Sequence, residues 1–207
     1  DRTPILLLGA TGPWDAARRR QWIDWIHTCA DQGGLIRNIT KWDNQPGSPA
    51  AALEAVLRAA QIAQTAPQGP VYVNFEVAMQ ELKLDAMPPL PDVKRYAVPQ
   101  AACPAPELVS AAARLLSGAK HPVILMGRCS RSLEGWRQRI ALAEKLNAPV
   151  LTNIKSAAAF PTDHRLHVGP PSVYLEPGAE KLVAAADVVL SLDWLRSEEH
   201  TSELQSH

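Results

Sequence analysis

Between Met87 and Pro106 the chain carries six of its 18 prolines, in the run MPPLPDVKRYAVPQAACPAP. Pro88, Pro89, Pro91, Pro99, Pro104 and Pro106 each fix φ and remove a backbone donor, so neither a helix nor a central strand can pass through. The run predicts an extended, semi-rigid connector. On both sides of it, apolar β-type runs alternate with amphipathic helical segments, as expected for two α/β units joined by one linker. The expected boundaries are 1–86 for the first unit, 87–105 for the linker, 106–195 for the second unit and 196–207 for an unrelated tail.

Composition narrows the function classes. With 46% hydrophobic residues the chain can bury a real core. Its 21 basic and 21 acidic residues cancel, which leaves no positive field for nucleic acid or an anionic membrane. No apolar run approaches the roughly 20 residues of a bilayer crossing, and no signal peptide opens the chain, so a soluble cytoplasmic protein is expected. Cys29, Cys103 and Cys129 are widely spaced and form no CxxC, which supports neither a disulfide framework nor a zinc site.

In the first unit, Ile5–Leu8 reads as a strand that exits into Gly9-Ala10-Thr11-Gly12-Pro13. A first-position parallel strand with none before it suggests that the chain begins mid-domain. Residues 14–34 then read as a helix whose face Trp22, Trp25, Ile26 and Cys29 meets either a core, a subunit interface or a flat ligand ring. Leu35–Thr40 reads as a short strand. Ser48-Pro49 starts a helix with Leu53, Val56, Leu57, Ala60 and Ile62 or Ala63 on one stripe. Val71–Phe75 reads as a buried parallel strand.

In the second unit, a helix from Pro106 to Gly118 carries Leu108, Val109, Ala112, Leu115 and Leu116 on one face. The strand Val123–Met126 follows, then the turn Gly127–Ser130. A helix over Leu133–Leu146 is expected to turn Trp136, Ile140, Ala143 and Leu146 inward. The remaining elements are a strand ending at Thr152, a long irregular stretch, a short helix near Glu180–Ala185 and a strand Asp187–Leu192. Two doubly wound, three-layer parallel-sheet units of α/β class, both incomplete, follow from this order, and ligands of such sheets bind off the carboxyl ends of the strands.

Local site signals are sparse. Neither GATGP nor GRCSRS supplies the glycines of a dinucleotide fingerprint, and no P-loop occurs. Gly127, Arg128, Lys155 and Ser156 sit in turns at the expected ligand edge and are candidates for a phosphate contact. His164 and His167 have the i, i+3 spacing of helical metal ligands, but they stand in PTDHRLHVGPP, where a helix is not expected and solvated loop histidines are. No metal ligand set and no catalytic triad can be assigned.

The order of segments carries more. TPILLLGATGP, DQGGLIRNITKW and GPVYVNFEVAMQ resemble the second half of the pyrimidine-binding domain of thiamine-diphosphate-dependent enzymes of the acetolactate synthase and benzoylformate decarboxylase type. After the linker, PELVSAAARLLSGAKHPVILMGR, LAEKLNAPVLTNIKSAAAFPTDHRLHVG and AADVVLSLDW resemble the central domain of the same enzymes. The resemblance covers Thr3 to Leu195. It implies a parent enzyme that acts on a 2-oxo acid as a carboligase or decarboxylase, with thiamine diphosphate and Mg²⁺, as a homodimer or homotetramer.

The same resemblance implies what is missing: the activating glutamate belongs before Asp1, and the Gly-Asp-Gly to Asn segment belongs after Leu195. The chain is thus expected to be an inert fragment with no catalytic residue. By position, the resemblance makes His27, Thr28 and Gln32 neighbours of the active site. Some members bind FAD or ADP through a Gly-Lys-Gly-like turn; here Lys155-Ser156-Ala157 has lost both glycines, which argues against a flavin. The alternative reading is a non-catalytic nucleotide-binding or structural α/β module. RSEEHTSELQSH, residues 196–207, resembles the translation of a sequencing adapter.

Overall fold

The computed structural model describes residues 2–172 and 174–195. It divides into two compact units, one over residues 2–102 and one from residue 103 onward. Each is a three-stranded, all-parallel sheet with helices packed on it. The tail expected over 196–207 lies outside the described residues.

The first sheet has the order β1 (Leu6–Thr11), β3 (Val71–Glu76), β2 (Trp42–Asn44). Leu6 and Trp42 both pair with Val71, so the chain crosses over between strands as a parallel sheet requires. The central strand β3 is apolar and buried through Val71, Tyr72 and Val73, which matches a strand covered on both faces. Helix α2 (Pro49–Gln64) begins on Ser48, whose hydroxyl accepts from the Ala51 amide, with proline in its first turn. It buries Ala55, Ala59 and Ala63 against Val71 and Val73. The larger stripe of Leu53, Val56 and Leu57 is only half-buried, because small side chains at i, i+4 and i+8 let the helix backbone approach the sheet.

Two expectations in this unit are corrected. Residues 14–34 do not form one helix: they contain a 3-10 turn at Ala16–Arg18, the short α1 (Ile23–His27) and a second 3-10 turn at Gly33–Leu35. Asp15, Asp24 and Thr28 bond nearby backbone instead of leaving it to a helical ladder. Trp22, at φ 58°, is outside helical space. Its expected apolar face is open, with Trp22 74% and Ile26 72% exposed. The strand expected at Leu35–Thr40 is also absent; Ile39 and Thr40 amides both return to the Ile36 carbonyl, and pairing begins after the Lys41 amide bonds Pro70.

The proline run packs on the first unit up to Ala102. Short helix α3 (Val77–Gln80) leads into it, a 3-10 turn at Val93–Tyr96 contacts α2, and the Gln61 amide donates to the Ala97 carbonyl at 2.8 Å.

The second sheet has the order β5 (Val150–Thr152), β4 (Pro122–Met126), β6 (Val188–Leu192). Every residue of β4 is buried. Helix α5 (Leu133–Leu146) ends on Asn147 in the left-handed region and packs Ala143, Ile140 and Leu146 over Ile124, Met126 and Val150. Helix α6 (Pro177–Ala184) covers Val123, Leu125 and Leu151 on the opposite face, with Leu182 and Val183. Asp187 ties the start of β6 to the start of β4 by accepting from the Lys120 and His121 amides at 2.6 and 2.8 Å. Those bonds hold its carboxyl below the usual carboxylate range. Helix α4 (Pro106–Gly118) is less covered than its amphipathic pattern predicts: Leu108 is 67% exposed and none of its residues is buried.

Candidate functional site

The carboxyl ends of the strands form one edge in each unit, where parallel α/β sheets take ligands. In the first unit this edge is the exit of β1 at Thr11 and Gly12, the exit of β2 at Asn44 and Gln45, and the end of β3 at Asn74 to Glu76. His27 and Thr28 are brought to it. The His27 carbonyl accepts from the Gly12 amide at 3.1 Å, and the Cys29 amide donates to the Thr11 hydroxyl at 3.0 Å. Thr28 donates to the Asp24 carbonyl, closing the end of α1.

Asp24 anchors that loop. Its buried carboxylate accepts from the Arg20 amide at 2.7 Å, from Arg20 Nε at 3.0 Å and from Arg20 Nη2 at 3.2 Å. The Arg20 bonds hold it below the usual carboxylate range. Gln32 is placed elsewhere, at the entry of the second 3-10 turn, beside the Arg37 clasp that joins Asp31 at 3.0 Å to Asp43 at 2.9 Å.

Sequence reading missed two residues here. Asn74, 1% exposed, donates through Nδ2 to Gln45 Oε1 at 3.0 Å, and its Oδ1 has no partner. A buried amide oxygen without a donor is costly. Glu76 accepts from the Trp14 amide at 2.6 Å. The available signal was an asparagine inside the apolar run Val71-Tyr72-Val73-Asn74-Phe75, which a packing strand does not need.

In the second unit the edge holds the four candidates, which point apart. The Gly127 amide donates to Leu192 at 3.0 Å, the Arg128 amide to Asp193 at 3.1 Å, and Arg128 Nη2 to the Asp193 carboxylate at 3.1 Å. Both residues are thereby committed to the β6 side of β4. On the β5 side, the Lys155 amide donates to Asn153 Oδ1 at 2.8 Å and the Ser156 amide to the Asn153 carbonyl at 3.0 Å. The Lys155 side chain is exposed, while the Ser156 hydroxyl is buried and without a partner. It faces a cavity of about 240 Å³ lined by Thr152, Asn153 and Phe160.

A nucleotide's phosphates need free backbone amides at such turns. Those of Gly127, Arg128, Lys155 and Ser156 are all engaged internally, so neither turn offers a free backbone amide to a phosphate, while Arg128 Nε and Ser156 Oγ are buried without partners.

His164 and His167 are not solvated loop side chains. Both pack on Phe160, His164 edge-on at 5.1 Å and His167 stacked at 6.5 Å between ring centroids. His167 Nε2 lies 2.8 Å from the Thr152 hydroxyl, and His164 Nε2 lies 3.3 Å from Glu144. Burial pushes the His167 imidazole below its ordinary value, opposed by a hydrogen bond to the Thr162 backbone. Among the described residues no cluster of three His, Cys, Asp or Glu side chains could hold a metal ion.

A family model described as thiamine pyrophosphate enzyme, central domain, matches residues 109–202. The second unit is a thiamine pyrophosphate enzyme central domain. The match runs past Leu195 into the segment read as adapter-like. The chain is 34% identical to a sulfoacetaldehyde acetyltransferase of Rhodobacter capsulatus over 163 residues, 78% of this chain and 26% of that protein. It is 27% identical to an acetolactate synthase large subunit of Corynebacterium glutamicum over 79% of this chain and 26% of that protein. The thiamine pyrophosphate enzyme fold extends through both units: a benzoylformate decarboxylase of Polynucleobacter necessarius superposes with a TM-score of 0.68 at 25% identity, covering 92% of this chain and 34% of that one. The chain thus spans about a quarter to a third of the length of these relatives. Among the described residues no helix is long and apolar enough to cross a membrane.

Proposed function

We propose that the chain is a segment of a thiamine-diphosphate-dependent, cytoplasmic enzyme that acts on a small 2-oxo acid and transfers the resulting acyl unit. Residues 1–86 are the second half of its pyrimidine-binding domain, 87–105 the connector, 106–195 the start of its central domain, and 196–207 foreign sequence. The observation that carries this reading is the succession of two parallel-sheet units that align together, over 92% of the chain, with one stretch of a benzoylformate decarboxylase. Acyl transfer is favoured over simple decarboxylation because the sequence relatives named above are an acetyltransferase and an acetolactate synthase.

Thiamine diphosphate supplies the carbanion chemistry in such enzymes, and protein residues bind, orient and tune it. This chain's part is to hold the loop of His27 and Thr28 at the end of β1, where Asp24 and Thr11 fix it. Mg²⁺ and the diphosphate are assigned to residues outside the chain, and the parent is assigned as a homodimer or homotetramer.

Sequencing the gene on both sides tests the reading. A glutamate-bearing strand upstream, a Gly-Asp-Gly to Asn segment downstream and genomic sequence in place of codons 196–207 are expected. The full frame, supplied with pyruvate, thiamine diphosphate and Mg²⁺, should release CO₂ and form a product joining the remaining two-carbon unit to a second carbonyl compound. A continuous frame that lacks both motifs would overturn the enzyme assignment.

A further inference from the structure

Helix α4 is amphipathic in sequence, yet its apolar side is open: Leu108 is 67% exposed, Leu115 66%, and no residue of the helix is buried. One flank leans toward α5 across an open cavity of about 430 Å³ lined by Val109, Ala113 and Leu116 with Leu142 and Leu146. The opposite flank carries Glu107, Ala111 and Arg114, which do not line that cavity. Two large leucines in water leave apolar area that a docked partner would remove.

The pattern on this flank says what fits it. Leu108, Ala111, Leu115 and Gly118 stand at i, i+3, i+7 and i+10, the spacing by which one helix lies along another. Leucine alternates with a small residue, so a facing helix can approach closely at Ala111 while the leucines pack to either side of it. Glu107 and Arg114 stand seven residues apart and share one edge of the row. Both are exposed, and neither forms an ion pair among the described residues. A carboxylate toward the start of the helix and a guanidinium toward its end are complementary to the same helix reversed.

We propose that this face of α4 is a self-association surface on which a second copy of the chain docks with its own α4 antiparallel. A twofold axis at Ala111 sets Leu108 against Leu115 of the partner subunit and Glu107 beside Arg114 of the partner subunit, and symmetry makes each contact twice. A parallel copy would face that edge with Ala112 of the partner subunit, where no charge is paired. With 21 basic and 21 acidic residues, no net charge keeps two copies apart. A 13-residue helix is about 20 Å long. One such pair buries less than the roughly 1,200 Å² of a stable interface, so the dimer is weak and concentration-dependent. The surface is read from this chain alone and does not rest on the enzyme assignment.

Sedimentation equilibrium of the full 207-residue chain, from about 10 μM to about 1 mM, tests it. A reversible monomer–dimer equilibrium that salt weakens is expected. Leu115→Ser, at an exposed position, should weaken the dimer at least about fivefold with the melting temperature unchanged. Glu107→Arg and Arg114→Glu each bring like charges together twice and should each weaken it about fivefold. The double variant Glu107→Arg/Arg114→Glu exchanges the signs and should return to within about threefold of wild type. Its recovery separates pairing from helix loss, because both reversals oppose the helix macrodipole and together burden α4 most.

A chain that stays monomeric throughout this range would overturn the proposal. So would a dimer that Leu115→Ser and the single reversals leave unchanged, since the copies would then meet elsewhere, as at the open Trp22 face. A double variant as weak as the single ones would also overturn it, because the two charges would not be paired between copies.

Discussion

Gly127 lies directly beneath the Asp193 carbonyl: a Cβ on Gly127 would stand 2.0 Å from that oxygen. The glycine after β4 is therefore required by the exit of β6. Gly127→Ala should force the two strand exits apart and cost about 1–3 kcal/mol, the range for overpacking a close contact. Urea denaturation measures it; a midpoint unchanged from wild type would mean that the two exits are not held together.

The centre of the second sheet should be intolerant of charge. Leu125 is buried beside Val123, Leu151 and Trp194, with α6 across it. Leu125→Asp places a carboxylate there with no partner and is expected to cost several kcal/mol, upwards of about 4, and to leave the protein insoluble. Ile124→Ala, on the opposite face against α5, should cost about 2–5 kcal/mol and remain foldable. A soluble, cooperatively unfolding Leu125→Asp protein would contradict the buried position of β4.

Acid should loosen the Phe160 loop before it titrates the carboxylates. The folded imidazole of His167 is pushed below its ordinary value of 6.5 by burial, so the folded state binds that proton less readily than the unfolded one. Stability from this residue is present above the unfolded value and is lost as pH falls from there through the lower folded value. His167→Gln, which can still bond Thr152, should flatten the stability-versus-pH curve in that window. An unchanged slope would remove His167 as its source.

The loop of His27 and Thr28 is held through Asp24 and Arg20. Asp24→Asn keeps the shape but removes the charge-assisted bonds, so amide exchange at Gly12 and Cys29 should accelerate while that of β3 stays slow. Uniform exchange rates in the variant and wild type would show that the loop does not depend on the pair.

Much of the framework was legible. The apolar runs of β3 and β4, the Ser48-Pro49 start of α2 and the Leu133–Leu146 helix follow from local pattern, and the ordered segments pointed to the thiamine diphosphate enzymes. The failures have local causes. Residues 14–34 carry a helical spacing of tryptophans, but Asp15, Asp24 and Thr28 spend their side chains on nearby backbone and divide the segment. Leu35–Thr40 has strand composition, yet the partner β3 is reached only from Trp42 onward. Arg139 was passed over because an arginine in an amphipathic helix ordinarily reads as surface.

By itself, then, the sequence determined the α/β alternation, the positions of the long helices and the family order, since these depend on periodicity and on residues close along the chain. Only the tertiary structure decided how the strand edges are used. It committed Gly127 and Arg128 to Asp193, placed the Asn74 amide beside Gln45, and bonded a buried Arg139 to the Ala158 and Ala159 carbonyls. These depend on parallel strands brought together across crossovers of many residues, and no local spacing encodes which polar group will meet which.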